Sequence, residues 1–503
     1  MMGQQKKQGK LFHYHLDLNG RVRSEHPLRK IKQAVDFSFV RGEVERLYGY
    51  NGNESVDPVV ILKMLFLLFY EDVASERELM RVIPERLDWL WFLDYDLDDE
   101  IPDHSVLSKA RTRWGPEVFE RVFIQTVQAC VAAGLVDGKK LHVDSSLVGA
   151  NASRDSVVRG TPEWIAALKE AYGAQEKKLD ELGQTAGPAK DYTPVSDSMM
   201  SLSDPDAVSV RHGGEASKPR YKCHRGVDDA KGVITATETT RADVADGVKM
   251  LPLVEQHEWN TGEPVEAVVG DATYGTTANF RACAERLIES HMADLLERNR
   301  EHRYRGIFPE EAFAYDAGSD TYLCPGGHRL VRRKHKEKRR IFEYAAGAKV
   351  CGVCALKSQC TRSAERSVRR HEKQELIDQA RAQASSPAAY RDRRRRKHLM
   401  EGSFAQASNQ HHFKRARWRR LWRQRIQDYL IAAVQNIAIL IKHLPKAQTM
   451  ISAGRREALW PLRSAVSHVL RQVAPLIEPI HRFGSFFRTL RTQVCTEPLP
   501  SSV

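Results

Sequence analysis

Three acidic residues stand where their carboxylates could converge on one point. Asp144 lies in "HVDSSLVG", Asp271 closes "VEAVVGDATYG", and Glu401 lies between "RRRRKHLM" and "GSFAQAS". Mg²⁺ prefers oxygen ligands and often shares the phosphate oxygens of a substrate. Two such cations about 4 Å apart can activate a water or hydroxyl and stabilise the leaving oxygen of an in-line displacement. For any one acid alone, a solvated or ion-paired side chain is the commoner case.

A second candidate metal site consists of four cysteines in one short region. Cys324 precedes "CGVC", which contains Cys351 and Cys354, and Cys360 follows six residues later. These thiols could bind a structural Zn²⁺, with His328 as a spare ligand. The spacing is irregular for a zinc ribbon, and reduced thiols in a small β-rich insertion are the alternative. Since no export signal is visible, metal binding is favoured over disulfides.

A dense basic region surrounds Glu401. Between Arg391 and Arg425 the sequence has thirteen Lys and Arg residues against two acids, Asp392 and Glu401. A polyelectrolyte partner explains this excess better than a solvated helix face. Trp418 and Trp422 are predicted as i,i+4 neighbours on a helix, where core packing is favoured over stacking on a base. The basic run 329–340 is a further candidate DNA contact.

The composition agrees with an anionic partner. The chain has 503 residues, a net charge of +13 and a pI of about 9.3, which indicates nucleic acid first and a membrane surface second. The most apolar run, 59–69, is short and contains Lys63, so it predicts a buried helix and not a membrane span. At this length two to four domains are expected.

The elements that must position these residues follow from changes in pattern along the chain. Residues 26–135 read as short helices, predicting either a DNA-binding domain or a bundle that only packs or dimerises. Residues 136–300 alternate strands and helices in a mixed α/β order that contains both aspartates. The remaining predicted segments are a flexible basic N-terminus (1–25), a Cys-rich basic insertion (301–385), the Glu401 helix with a closing helix (386–445), and a basic C-terminal tail (446–503).

The three acidic blocks together resemble the DDE transposases of bacterial insertion sequences. The similarity runs from about residue 26 to residue 444 and includes "SLSDPDA" and "YKCHRGVD". It implies an RNase H-like mixed-sheet core, an all-helical N-terminal transposase domain, and a Cys-containing insertion between the second Asp and the Glu. It further implies that Asp144, Asp271 and Glu401 bind two Mg²⁺ or Mn²⁺ ions. Tyr274, Gly275 and Asn279 are expected to shape the turn after Asp271, with Asn279 as a candidate helix cap.

One position departs from the family pattern. Members usually have a Lys two helical turns after the glutamate, and this chain has Ser408 there. Nearby Lys414, Arg415 or Arg417 are candidate substitutes. Asn151 is predicted to donate to a DNA phosphate. The predicted DNA contacts are Asn151, Arg395, Arg396, Lys397, Lys414, Arg415, Arg417 and Arg419.

Three functions remain open from the sequence. The first is metal-dependent cleavage of DNA at the ends of an insertion sequence with strand transfer into target DNA. The second is a non-catalytic DNA-binding regulator derived from a transposase, and the third is a related nuclease that cuts without joining. The resemblance implies double-stranded DNA partners (terminal inverted repeats and target), at least a homodimer on DNA, no membrane, and a bacterial cytoplasmic, nucleoid-associated location.

Overall fold

The computed structural model describes residues 17–49, 54–182, 199–295, 306–337 and 340–443. The predictions for residues 1–16 and for the tail 446–503 lie outside the described residues. Within the predicted flexible N-terminus, Leu18–Arg21 forms one helical turn capped by Asp17. None of the described helices combines the length and apolarity needed to span a membrane.

The N-terminal region is helical, as the sequence predicts. Its helices are α1 (Leu18–Arg21), α2 (Pro27–Ala34), α3 (Val40–Val44), α4 (Pro58–Tyr70), α5 (Glu76–Val82), α6 (Leu87–Leu93) and α7 (Ser105–Ala132). Helix α4 starts at Pro58, and the side chain of Asp57 accepts the Val59 N–H at 2.8 Å. Lys63 is buried inside this apolar helix because its ammonium group pairs with Asp94 at 2.6 Å. The two helices predicted around 105–135 merge into α7, with a non-helical Gly115 between them.

The central region is a mixed α/β layer around a six-stranded sheet. In chain order its elements are β1 (Lys140–Gly149), β2 (Val157–Arg159), α8 (Pro162–Leu182), β3 (Met199–Ser201), β4 (Val208–Val210), β5 (Lys218–Asp228), β6 (Ile234–Arg241), α9 (Met250–Thr261), β7 (Ala267–Gly270), α10 (Thr277–Glu285) and β8 (Glu289–Met292). The sheet order is β4-β5-β1-β7-β8, with β6 also paired to β5. Strands β1 and β5 and strands β5 and β6 are antiparallel, whereas β7 and β8 run parallel to β1.

A separate five-stranded antiparallel sheet lies between Asp271 and Glu401 in the sequence. Its elements are β9 (Ala314–Asp316), β10 (Thr321–Leu323), β11 (Arg329–Lys336), β12 (Ile341–Ala345), α11 (Ala348–Gly352), α12 (Lys357–Cys360) and β13 (Ser367–His371). The strand order is β13-β12-β11-β10-β9. The sheet has its own small core of Phe313, Tyr322, Leu330, Tyr344 and Val368.

Three helices return the chain to the central sheet. They are α13 (Gln374–Ala384), α14 (Pro387–Gln410) and α15 (Leu421–His443). The prediction that Trp418 and Trp422 are i,i+4 neighbours on one helix is wrong. Residues 411–420 contain two positive φ angles, at His412 and Arg420, and form a backbone bridge between Arg415 and Gly149 at the end of β1. Trp418 and Trp422 are therefore not neighbours on one helix.

Candidate active site

Asp144 lies near the middle of β1, on the sheet face covered by α14. Its Oδ1 accepts the Ser145 N–H, and its Oδ2 accepts a hydrogen bond from Nη1 of Arg396 at 2.8 Å. Burial raises the pKa of Asp144, while the Arg396 charge and the Ser145 N–H oppose that rise and the nearby Asp271 charge adds to it. Asp144 is thus a half-buried carboxylate that is ion-paired with an arginine.

Asp271 is brought beside Asp144 by the strand register. Strands β1 and β7 are parallel with His142 opposite Val269, so two residues further along each chain Asp144 and Asp271 lie side by side. Adjacent strands are roughly 4.8 Å apart, and residues two apart face the same side of a sheet. The backbone N–H and hydroxyl of Thr273 both donate to Oδ1 of Asp271, at 2.8 and 2.5 Å.

The turn after Asp271 is fixed by close packing. A Cβ on Gly275 would lie 1.8 Å from the carbonyl oxygen of Ala293, so only glycine fits. The side-chain amide of Asn279 donates to the carbonyls of Gly247 and Tyr274, both at 2.8 Å. The candidate cap role of Asn279 is wrong, because the side chain of Thr276 caps α10 by accepting the Asn279 N–H. The predicted turn-shaping role of these residues is confirmed.

Glu401 lies on α14 but does not contact either aspartate. Its side chain is 67% exposed, and its ion-pair partner is Lys397 at 4.0 Å. Arg396, which contacts Asp144, precedes Glu401 by five residues, or about 140° around the helix. No three or more His, Cys, Asp or Glu side chains of the described residues are arranged to hold a metal ion. The structure therefore brings two of the three predicted acids together and leaves the third facing solvent.

A buried polar network fixes α14 and α15 on the Asp144 face of the sheet. Arg225 pairs with Asp144 in the β1–β5 register, and its guanidinium is fully buried. It donates to Gln435 at 2.8 Å, to Ser403 at 3.2 Å and to Asp428 at 3.4 Å. Asp428 also accepts from Cys223, Thr237 and Thr239. These contacts determine which face of α14 approaches Asp144.

Basic residues form an exposed strip beside Asp144. The Lys414 ammonium donates to the Ser146 hydroxyl at 2.7 Å, and Ser146 is on the same strand face as Asp144. Arg415 is exposed opposite Gly149, and Nε of the exposed Arg419 donates to the carbonyl of Asn151. We call Lys414, Arg415 and Arg419 the Lys414 strip; it runs from beside Asp144 along the end of β1.

Other predicted DNA contacts lie in different surroundings. Lys397 is exposed on α14. Arg395 donates to the carboxylate and to the carbonyl of Asp229, at 2.5 Å each. The side-chain amide of Asn151 donates to the Arg417 carbonyl at 2.9 Å. The Arg417 side chain is only 8% exposed and packs over Phe69, with its charge beside Asp72. It joins the helical domain to the core and offers no open face to a phosphate. Trp418 packs against Phe69 and Arg111, so the predicted core role is confirmed for this tryptophan.

Sequence reasoning missed Arg396 as the partner of Asp144 and Asp246 as the partner of Ser145. The Ser145 hydroxyl donates to Asp246 at 2.8 Å on the opposite sheet face, where Lys222 also pairs with Asp246 at 3.1 Å. Asp246 lies in the turn just before Met250, the first residue of α9. The Arg396–Asp144 and Ser145–Asp246 pairs join residues 252 and 101 positions apart, so no local sequence pattern could have indicated either pair.

The four cysteines lie in one neighbourhood of the insertion. Burial raises the pKa of Cys360, the nearby Arg366 charge opposes this, and the other three thiols, Cys324, Cys351 and Cys354, add to the rise. A Cβ on Gly326 would lie 3.2 Å from Sγ of Cys354 and 3.7 Å from Sγ of Cys324. All four are free thiols, and none is fully exposed.

Two protein-family models match this chain, one in its N-terminal helical region and one from the insertion to the closing helix. A transposase domain (DUF772) matches residues 16–113, which cover most of the N-terminal helices. A transposase DDE domain matches residues 323–441, from the insertion through the Glu401 helix to the closing helix. Both matches support the assignment of this chain to the DDE-type transposases.

The other comparisons add little to this identification of the transposase. A cryo-EM structure of the piggyBac transposase synaptic complex with hairpin DNA is similar over 95% of this chain and 87% of that chain, with 10% identity and a TM-score of 0.34. A TM-score this low carries no argument about the fold. No curated protein matches the chain. The transposase assignment therefore rests on the two domain matches.

Proposed function

We propose that this transposase cuts DNA at the ends of a bacterial insertion sequence and joins the freed 3′ ends to target DNA. One observation carries the proposal: the parallel register of β1 and β7 places Asp144, on β1, beside Asp271, directly after β7, with Lys414 bonded to the nearby Ser146. The strand order of the central sheet supports an RNase H-like core. In the sheet, the antiparallel strands β6, β5 and β1 lie next to one another, and β7 and β8 lie beyond β1 and run parallel to it.

The donor set fits divalent cations. Asp144 and Asp271 offer hard carboxylate oxygens, which suit Mg²⁺ or Mn²⁺. When bound, such cations supply activation of the attacking oxygen and stabilisation of the leaving oxygen. Asp144 and Asp271 would hold them, and Thr273 orients the Asp271 carboxylate. Arg396 occupies Oδ2 of Asp144 and balances its charge, so that contact must give way when a cation takes the same oxygen.

Glu401 is proposed as the third ligand on the basis of its match to the family pattern. For this role α14 has to turn its outer face toward the aspartates when DNA is bound. Lys414 is proposed to replace the lysine that the family has at the position of Ser408, because its ammonium reaches Ser146, two residues after Asp144. Ser408 itself donates to the Phe404 carbonyl at 2.6 Å. Since two element ends must be held together, we propose at least a dimer on DNA.

The second candidate is a non-catalytic DNA-binding regulator. It is favoured by one observation, the outward position of Glu401 while Arg396 neutralises Asp144. The two functions share the DNA-binding strip and differ in whether phosphodiester bonds are broken. A nuclease that cuts without joining is distinguished from both by its products.

The experiment first looks for short inverted repeats beside the gene and then uses a supercoiled plasmid that carries them. With Mg²⁺, the purified transposase should release the element ends and join them to target DNA. Asp144→Asn, Asp271→Asn and Glu401→Gln should each lower the rate by more than about 100-fold, since even an outer partner of a metal site is worth about 10–100-fold. Glu117→Gln, at an exposed helical glutamate of α7, is the matched control and should act as the wild type.

Each outcome separates the candidates. Full activity of the Asp144→Asn protein would overturn the catalytic proposal. Specific binding of the ends without cleavage by the wild type would support the regulator, and cleaved but unjoined ends would support the nuclease.

A structural Zn²⁺ in the insertion is a separate proposal. Cys324, Cys351, Cys354 and Cys360 share one neighbourhood, and their thiolates suit zinc. No three of them already stand at metal-holding positions, so a bound zinc would have to draw them together. Metal analysis of the purified protein should find one zinc per chain, released when a thiol-specific mercurial is added. A Cys351→Ser protein with the same zinc content would contradict the proposal.

A further inference from the structure

The insertion sheet extends into a two-stranded ribbon with a free edge. Strand β11 spans Arg329–Lys336, but β10 pairs only with Arg329–Val331. Beyond that point, residues 332–336 pair with β12 on one side, and no described strand covers the other side. We call residues 332–336 and their partners 341–344 the basic ribbon. Its edge presents backbone N–H and C=O groups together with its side chains.

The basic ribbon carries more positive charge than its neighbours balance. Arg332, Arg333, Lys334 and His335 are exposed, and Lys336 is partly exposed. Arg332 pairs with Asp320 and Lys336 pairs with Glu343, both at 3.3 Å. Among the described residues, no carboxylate forms an ion pair with Arg333 or Lys334. Two adjacent cationic side chains are therefore available to an anionic partner.

The ribbon is held in a defined shape. The ring of Phe342 stacks on His335 at 4.5 Å and lies under the Arg332 guanidinium at 4.8 Å, while His335 bonds Glu372 at 2.8 Å. The β11–β12 register shifts between Arg332 and Lys334, which places a bulge at Arg333. Bulges bend a strand and re-aim its side chains. The free cations thus project from a bent, braced ribbon and not from a loose loop.

We infer that the basic ribbon binds duplex DNA, with Arg333 and Lys334 on phosphates of one groove. The inference deepens the proposed function, because it assigns a second DNA-contacting surface outside the Asp144 strip. A two-stranded ribbon fits the major groove of B-form DNA, which is about 12 Å wide. The deep and narrow major groove of A-form RNA does not admit it. Phosphate contacts position a protein without reading sequence, so the ribbon binds DNA of any sequence.

The test measures DNA binding in the absence of catalysis. Full-length Asp144→Asn protein in EDTA is titrated against a labelled 30-base-pair duplex of random sequence, at several salt concentrations, by fluorescence anisotropy. Adding R333E/K334E should weaken binding at least ten-fold and reduce the salt slope by about 2, since each phosphate contact contributes about 0.9. The control R211E/K357E makes the same charge change at an exposed and a partly exposed position off the ribbon and should leave both values unchanged.

Two further measurements keep the inference testable if the charge reversal harms folding. R333Q/K334Q removes the charges without adding repulsion and should give the same reduction in salt slope. A photocrosslinking residue at position 334 should attach to the duplex, whereas the same residue at position 211 should not.

The outcomes distinguish the ribbon from the proposed function. Equal affinity of the ribbon variants and the control would overturn the ribbon inference and leave the transposase proposal standing. Absence of DNA binding by the unmodified chain would overturn the proposed function. Tighter binding of the ribbon to duplex RNA than to DNA would overturn the choice of partner. Aggregation of R333Q/K334Q with unchanged DNA affinity would also overturn the inference, because the charges would then only protect a strand edge.

Discussion

A single arginine controls the charge of the Asp144 carboxylate. Burial raises the pKa of Asp144, and the Arg396 guanidinium opposes that rise. Removing the guanidinium in Arg396→Gln should raise the pKa of Asp144 further, so the ionised form needed for metal binding appears at higher pH. We expect the pH of half-maximal DNA cleavage to move upward in this variant. Arg395→Gln is the control, because Arg395 binds Asp229 and not Asp144. Identical pH profiles for both variants would contradict the role of Arg396.

Asp204 predicts how folding stability depends on pH. This carboxylate accepts from the Tyr221 hydroxyl at 2.6 Å, and burial raises its pKa to about 6. A carboxyl group whose pKa is raised in the folded state stabilises the protein below its unfolded pKa, and that contribution is lost as the pH rises through about 6. Asp204→Asn avoids ionisation, so between pH 4 and pH 7 its free energy of unfolding should gain about 2 kcal/mol relative to wild type. Urea unfolding at both pH values measures this difference, and a constant difference would contradict it.

The sequence predicted where the two aspartates lie, because Asp144 stands inside a strand pattern and Asp271 directly follows another. Their partners were not predictable. Arg396 looked like one of many arginines in a basic run, and its pairing with Asp144 joins residues 252 positions apart. The cap of α10 was equally unpredictable, although its candidates are close in sequence. Asn279 and Thr276 can both cap a helix, and the packing of the turn makes Thr276 the cap while Asn279 bonds the Tyr274 carbonyl.

At the scale of elements, α15 is attached to the sheet through the Arg225–Asp428 pair. Both side chains are buried, so removing one leaves the other as an uncompensated charge. We expect Asp428→Ala to lower the free energy of unfolding by about 3–5 kcal/mol. Glu78→Ala, which breaks the exposed pair with Arg81, should cost far less. Denaturant titration compares the two variants, and equal losses would show that the buried network does not anchor α15.

Strong periodicity made most long elements predictable, and tertiary contacts decided the rest. The apolar run 59–69 forms a buried helix and region 136–300 alternates strands and helices, as their patterns predict. Segment 411–420 could not be predicted, because its backbone leaves the helix to bridge Gly149 at the end of β1.

At the scale of the whole molecule, two basic surfaces are available for DNA, and one site is available for chemistry. The Lys414 strip borders Asp144, and the basic ribbon belongs to the insertion. That a helical N-terminal region precedes a mixed α/β region was predictable because the residue pattern changes between them. The outward position of Glu401 was not, since it depends on how Arg225, Asp392 and Arg396 orient α14 against the sheet.

The central claim is that Asp144 and Asp271 together hold the cations that serve DNA cleavage. Mn²⁺ titration of the DNA-bound protein, followed by electron paramagnetic resonance, tests it most directly. The account predicts that the wild type binds Mn²⁺ in the complex, and that Asp144→Asn and Asp271→Asn each lose this binding while still holding DNA. Undiminished Mn²⁺ binding by both variants would contradict it.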